Sequence, residues 1–280
     1  MRIHISHRTT YRFDQPVHYG LQRLRLTPRS GSTQTVVDWE LVLSGCGLQL
    51  EYEDHFGNHV TLVRTDGEAL EVDIEARGLV ETFGSDGVVG QHHGAVPLWF
   101  HLRPTELTTP GDRIRELAAE VAFEADPVTR LHALSGVIID QVEYRLGGTE
   151  PSTPAEEALK SGHGVCQDHA HIFVTAARLF DVPARYVSGY MMLDDAESSP
   201  ASHAWAEAHV AGLGWVGFDV SNGISPDDRY VRVAIGRDYR EAAPLVGTRY
   251  GSGGESLEVR LEISAQAQAQ AEPQQQQQQQ

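Results

Sequence analysis

The sequence predicts an α+β protein: a β-rich, sandwich-like N-terminal domain, then a core in which a cysteine-bearing helix packs on an antiparallel sheet. Three observations lead there. Short strand-like runs between turn signals fill residues 1 to about 105, a helix-period pattern takes over from about 109, and three strand-like segments follow a helix that opens on Cys166. The change of hydrophobic period places a boundary near 105. The expected division is a β-rich domain over 1–105, a core over 106–250, a last strand over 251–263 and a disordered Gln-rich tail over 264–280.

In the first domain, residues 2–6, 35–43, 48–54, 60–64 and 69–79 are rich in alternating or β-branched side chains. Gly57-Asn58 and Asp66-Gly67 separate several of them as turns. Cys46, between Gly45 and Gly47, reads as a turn residue without a chemical role. His92 and His93 lie in a loop-like stretch, 86–97, with no cysteine or carboxylate at ligand spacing, and read as a solvated loop.

Helices come next. Ile114, Leu117, Ala118 and Val121 make one apolar stripe; Leu131, Leu134, Ile138 and Val142 make another after Asp126-Pro127, a helix start. Thr153-Pro154-Ala155-Glu156 reads as a capping box with Pro154 at the first helical position, opening a short helix to Lys160. Gly162 and Gly164 suit the bend into the next helix. There Cys166, Ala170, Phe173, Val174 and Ala177 share one face, and Pro183 bounds the far end.

Cys166 therefore stands in a first helical turn, where unpaired backbone N–H groups and the helix dipole favour a thiolate. A buried cysteine is often no more than a small core residue, so a nucleophile needs a base and an orienting acid. Residues 184–193 are β-rich and 194–201 form an acidic loop. Residues 202–210 alternate, with His203, Trp205, Glu207 and His209 on one face and Ala204, Ala206, Ala208 and Val210 on the other. Residues 215–220 alternate too. If the intervening loop is 211–213, Asp219 falls opposite Trp205, one diagonal step from His203; a loop at 212–214 would part them further. In the nearer register a His–Asp pair meets the helix that carries the thiol, the order of nucleophile, base and orienter. Trp205 and Trp215 read as buried sheet aromatics or as cleft walls, and Asp168 as a helix-terminus, substrate-binding or ion-pair residue.

Composition narrows the partners. A formal net charge of −17 opposes binding to nucleic acid or to an anionic membrane. Two well-separated cysteines fit a reducing compartment, the first residues lack the apolar run of a signal peptide, and no stretch has the length of a membrane span. The expectation is a soluble, cytoplasmic protein with no cofactor. A zinc site built from His163, Cys166, His169 and His171 is disfavoured, because within the helix only Cys166 and His169 share a face.

Four segments carry a resemblance: Gly164-Val-Cys166-Gln-Asp-His-Ala170, Ala184-Arg-Tyr-Val-Ser-Gly-Tyr190, His203-Ala-Trp-Ala-Glu207 and Gly214-Trp-Val-Gly-Phe-Asp219. Together they resemble the bacterial transglutaminase-like superfamily, a family of candidate cysteine proteases. Tyr11-Arg-Phe13, Leu24-Arg-Leu-Thr-Pro-Arg29 and Asp54-His-Phe-Gly-Asn58 resemble the β-rich domain that precedes its core. The resemblance spans roughly residues 1 to 263. It implies a papain-like α+β core with Cys166 as nucleophile, His203 as general base and acid, and Asp219 as its orienter. Val220 follows Asp219 where the family often has Pro, which removes no chemical group. The implied reaction is attack on an amide of a peptide or protein through a thioester. Water as acceptor gives hydrolysis and a primary amine gives transamidation, with a non-catalytic scaffold as the remaining reading.

Overall fold

The structure, a computed structural model, describes residues 1–193, 202–250 and 253–265. The expected acidic loop at 194–201 and the tail from 266 onward lie outside the described residues.

The first six strands are β1 (Arg2–Val17), β2 (Tyr19–Leu24), β3 (Gln34–Ser44), β4 (Cys46–Glu53), β5 (His59–Thr65) and β6 (Ala69–Thr82). After β7 (Val88–Gly90) and a 3-10 turn (Leu98–Leu102) come α1 (Asp112–Glu120), α2 (Pro127–Gln141), β8 (Glu143–Tyr144), α3 (Ala155–Ser161), β9 (His163–Gly164) and α4 (Cys166–Arg178). The chain continues through β10 (Ala184–Met191), β11 (Ser202–Val210), β12 (Gly214–Phe218), β13 (Tyr230–Gly236), α5 (Tyr239–Ala242), β14 (Leu245–Tyr250) and β15 (Glu255–Ala265).

Two four-stranded sheets, ordered β15-β1-β6-β3 and β14-β2-β5-β4, make the sandwich. Period-two patterning builds it: Val72, Ile74 and Ala76 of β6 are fully buried, while Glu71 and Asp73 face outward and pair with Arg12 and Arg8 of β1 at 2.9 and 2.8 Å. Both C-terminal strands belong to this sandwich, β15 beside β1 and β14 beside β2. Cys46 departs from expectation. Gly45, with φ of 69°, makes the turn, and Cys46 opens β4 inside the core, where burial pushes its thiol up to about 11.

The second sheet, ordered β13-β10-β11-β12-β7, is antiparallel. Ala204, Ala206 and Ala208 give β11 a shallow face, which lets α4 approach closely. Ile172, Phe173, Val174, Ala176 and Ala177 are all fully buried, because α1, α2 and α3 cover the side of α4 away from the sheet. The capping box at Thr153 does not form. Glu156 turns instead to α1, where its carboxylate accepts the N–H groups of Gly111, Arg113 and Ile114 at 3.0–3.1 Å, so it satisfies a neighbouring helix start rather than its own.

Sandwich and core sheet meet over Ile3, Ile5 and Val80 on one side and Tyr190, Val231 and Val233 on the other. Two side-chain amides close the outer edge of β13. Asn58 donates to the Ile235 carbonyl and accepts its N–H, both at 2.8 Å, and Gln34 does the same for Arg232 at 2.8 Å. Each amide imitates one rung of a missing strand, satisfying an edge that would otherwise be open. Asn58 also donates to Asp54, which accepts from Arg25 at 3.1 Å. Asn58→Asp would replace a donor by an oxygen aimed at a carbonyl and a carboxylate. We expect a loss of about 3 kcal/mol in a urea titration, because a buried charge is then left facing acceptors.

Candidate active site

α4 presents Cys166 at its first position. Val165 precedes it in an extended conformation, and the Asp168 carboxylate folds back to accept the Val165 N–H at 2.8 Å and the Thr149 hydroxyl at 2.6 Å. Gly164 makes room for this: a Cβ there would lie 2.7 Å from that of Asp168. Asp168 thus shapes the turn under Cys166 rather than forming an ion pair. Burial raises its carboxyl above the ordinary value.

The strand register follows the three-residue loop. Val210 pairs with Gly214 and Ala206 with Phe218, and the next step brings Asp219 level with Trp205. From there the Asp219 carboxylate reaches diagonally to His203, with Nε2 to Oδ2 at 2.6 Å. The Cys166 thiol is near enough to the same imidazole to raise it. Since Nε2 faces Asp219, Nδ1 is the nitrogen left for sulfur. His203 and Asp219 are thus joined directly, with Cys166 acting on the same ring.

Three further residues hold Asp219. Tyr230 of β13 donates its hydroxyl to Oδ2 at 2.7 Å, and Asn222 donates its amide to the same oxygen at 2.7 Å. Ser221 donates to Oδ1 at 2.9 Å. Asn222 and Ser221 belong to a local turn, a role the run Asp219-Val-Ser-Asn could have signalled; nothing in the sequence ties Tyr230 to Asp219. Burial alone would raise the Asp219 carboxyl, but these donors and the His203 charge hold it below the ordinary range. For His203 burial works toward a lower value, and Asp219 and Cys166 outweigh it, so the imidazole is raised. The site favours an imidazolium paired with the Asp219 carboxylate.

Trp205 is buried and stacks beside His203 with ring centroids 6.3 Å apart, and it meets Tyr230 edge-on at 5.5 Å. It packs beside the imidazole. Trp215 is buried on the sheet face away from α4, where it donates to Nδ1 of His92 at 3.1 Å while His92 Nε2 sits 2.7 Å from the Val96 carbonyl. His92 is therefore a fixed, half-buried plug rather than part of a solvated loop. Backbone groups engage the histidines near Cys166. Nδ1 of His163 lies 2.9 Å from the Ser161 carbonyl, the ring of His169 faces the Val165 and Val142 carbonyls at 2.9 and 3.0 Å, and His171 accepts the Tyr239 N–H at 2.9 Å. Among the described residues no group of three or more potential metal ligands comes together. No helix among them is long and apolar enough to cross a membrane.

Comparison with known proteins bears on this geometry. Residues 3–81 match the bacterial transglutaminase-like N-terminal region, and residues 115–220 match the transglutaminase-like superfamily. The chain is 28% identical over 276 residues to an uncharacterized protein of Mycobacterium leprae, covering 94% of this chain and 98% of that one. It is 30% identical over 280 residues to an uncharacterized protein of Mycobacterium tuberculosis, covering 89% and 88%. A solved structure of a candidate cysteine protease from Cytophaga hutchinsonii superposes with a TM-score of 0.76 at 20% identity, covering 95% of this chain and 91% of that one; this is a likeness of fold. The matched core runs from α1 to just past Asp219, and the matched N-terminal region is the sandwich as far as β6. With both regions in order, and relatives aligned along most of their length, the chain belongs to the transglutaminase-like superfamily.

Proposed function

We propose that the protein is a cysteine peptidase or amidase that cleaves amide bonds of peptides or proteins. The observation that carries this is the 2.6 Å bond from His203 to Asp219, on a ring that the nearby Cys166 thiol also raises. The thiolate of Cys166 attacks the substrate carbonyl, and the oxyanion forms beside the free N–H of Cys166 at the helix start. His203 gives its Nδ1 proton to the amine nitrogen as the C–N bond breaks, leaving a thioester on Cys166 and a neutral imidazole. That imidazole then takes a proton from water, which attacks the thioester. The acid product leaves, and the proton on His203 balances the thiolate restored at Cys166. Asp219 holds the ring orientation throughout and is itself held by Tyr230 and Asn222.

A panel of peptides, with and without a primary amine, assayed on wild type and Cys166→Ala tests the reading. We expect acid products in the absence of amine and a loss of about 10⁴-fold or more in the variant. Amine-linked products in preference to acid would make the enzyme a transglutaminase. Iodoacetamide at neutral pH should label Cys166 alone, since Cys46 is buried and held protonated. Labelling of Cys166 no faster than free cysteine, with no turnover, would leave a scaffold.

A further inference from the structure

A cavity of about 430 Å³ lies between the sandwich and the face of the core sheet turned away from α4. Val216 and Phe218 of β12 pack on the helices, whereas Trp215 lines this cavity on the opposite side. Arg29 and Gly57, from two of the N-terminal segments with no part in the reaction, form one wall; Arg185, Arg232 and Trp215 form the other.

The charge there does not balance. Glu207 accepts from Arg185 Nε at 2.6 Å and from Arg232 Nη1 at 3.2 Å, so one carboxylate serves two guanidinium groups. Arg185 is 6% exposed and Glu207 1% exposed, so water screens this excess poorly. Burial, and then repulsion from Arg232, lower Arg185 only to about 10, and it stays cationic at neutral pH. Arg185 Nη1 and Arg232 Nη2 have no protein acceptor among the described residues. Arg29, paired with Glu53 at 3.0 Å, stands at the exposed rim. In a chain of net charge −17, this is a cleft of the opposite sign.

We infer that the cavity binds a small molecule bearing an oxyanion, a carboxylate or a phosphate, which completes the Arg185–Glu207–Arg232 network. The unused guanidinium nitrogens offer charge-assisted donors to such a group, and the volume suits a small metabolite rather than a polymer. The inference does not depend on the reaction at Cys166, because Cys166, His203 and Asp219 do not line this cavity.

Calorimetric titration of the full chain with inorganic phosphate and, separately, with succinate tests it, against sodium chloride at matched ionic strength. Saturable binding of at least one is expected, weakened about tenfold by Arg232→Gln and by Arg29→Gln. Preference for phosphate assigns a phosphoryl ligand, and preference for succinate a carboxylate. Arg29 is at the rim, so Arg29→Gln keeps the fold even where Arg232→Gln loosens it; thermal melts without ligand check both. No saturable binding of either anion, or affinity unchanged in Arg29→Gln, overturns the inference.

Discussion

Asp219→Asn should cut kcat/KM by roughly 10²- to 10⁴-fold and move the alkaline limb of the pH–rate profile toward acid. The wild-type carboxylate does two things for His203: it fixes the ring through Nε2 and supplies the negative charge that raises the imidazole. An amide of the same shape retains part of the first and none of the second, so the imidazolium is lost at lower pH. Stability should follow the same signs. The depressed Asp219 contributes fully above its unfolded value near 3.9, and that contribution fades as pH falls through its folded value. The raised His203 contributes fully below its unfolded value near 6.5, and that contribution fades as pH rises through its folded value. Wild type should therefore gain most from the pair between about pH 4 and 6.5, and Asp219→Asn should flatten that maximum in urea titrations across pH. A variant with unchanged rates at every pH would contradict the role given to Asp219.

The second large effect is structural. Arg178→Ala should destabilise the protein by about 3–5 kcal/mol. Arg178 closes α4 at the end opposite Cys166 and is 8% exposed. Its guanidinium donates to the His101 carbonyl at 2.7 Å, to the Thr108 hydroxyl at 2.8 Å and to the Ala184 and Arg237 carbonyls at 2.9 Å. Burial, and then repulsion from Arg237, pull it down to about 9, so it remains charged. Truncation removes four hydrogen bonds, three of them buried, and opens a void among elements far apart in sequence. Arg178→Lys should be intermediate, because one ammonium cannot span acceptors arranged for a planar fork. Denaturation midpoints at constant slope would measure both, and a midpoint unchanged in Arg178→Ala would contradict this account.

Much of this architecture was legible from patterning, which reports what is repeated. The stripe beginning at Cys166 marked a helix because burial recurs along it, and the Ala204–Ala206–Ala208 alternation marked the sheet face beneath. The register that brings Asp219 near His203 could be reasoned from loop length, because a three-residue connection leaves little freedom. What patterning cannot report is a single long-range contact. Arg178, Gln34, Asn58 and Tyr230 each make their decisive bonds with segments remote in sequence, and no local period marks them. Glu156 shows the converse: its spacing from Thr153 satisfied a local rule, while a nearby helix start offered three unpaired N–H groups and won. Cys46 was misplaced by one residue because the positive φ fell on Gly45 alone.

The placement of β14 and β15 has a consequence for the order of events at the ribosome. Cys166, His203 and Asp219 are all synthesised before the strands that flank β1 and β2, so a nascent chain holds its thiol, imidazole and carboxylate while both halves of the sandwich still lack a border strand. Those borders stay available for wrong partners until the final strands arrive from roughly 240 residues downstream, a separation that makes closure slow. Premature termination between β13 and β14 should thus yield chains that aggregate through unguarded strand edges rather than a smaller working enzyme.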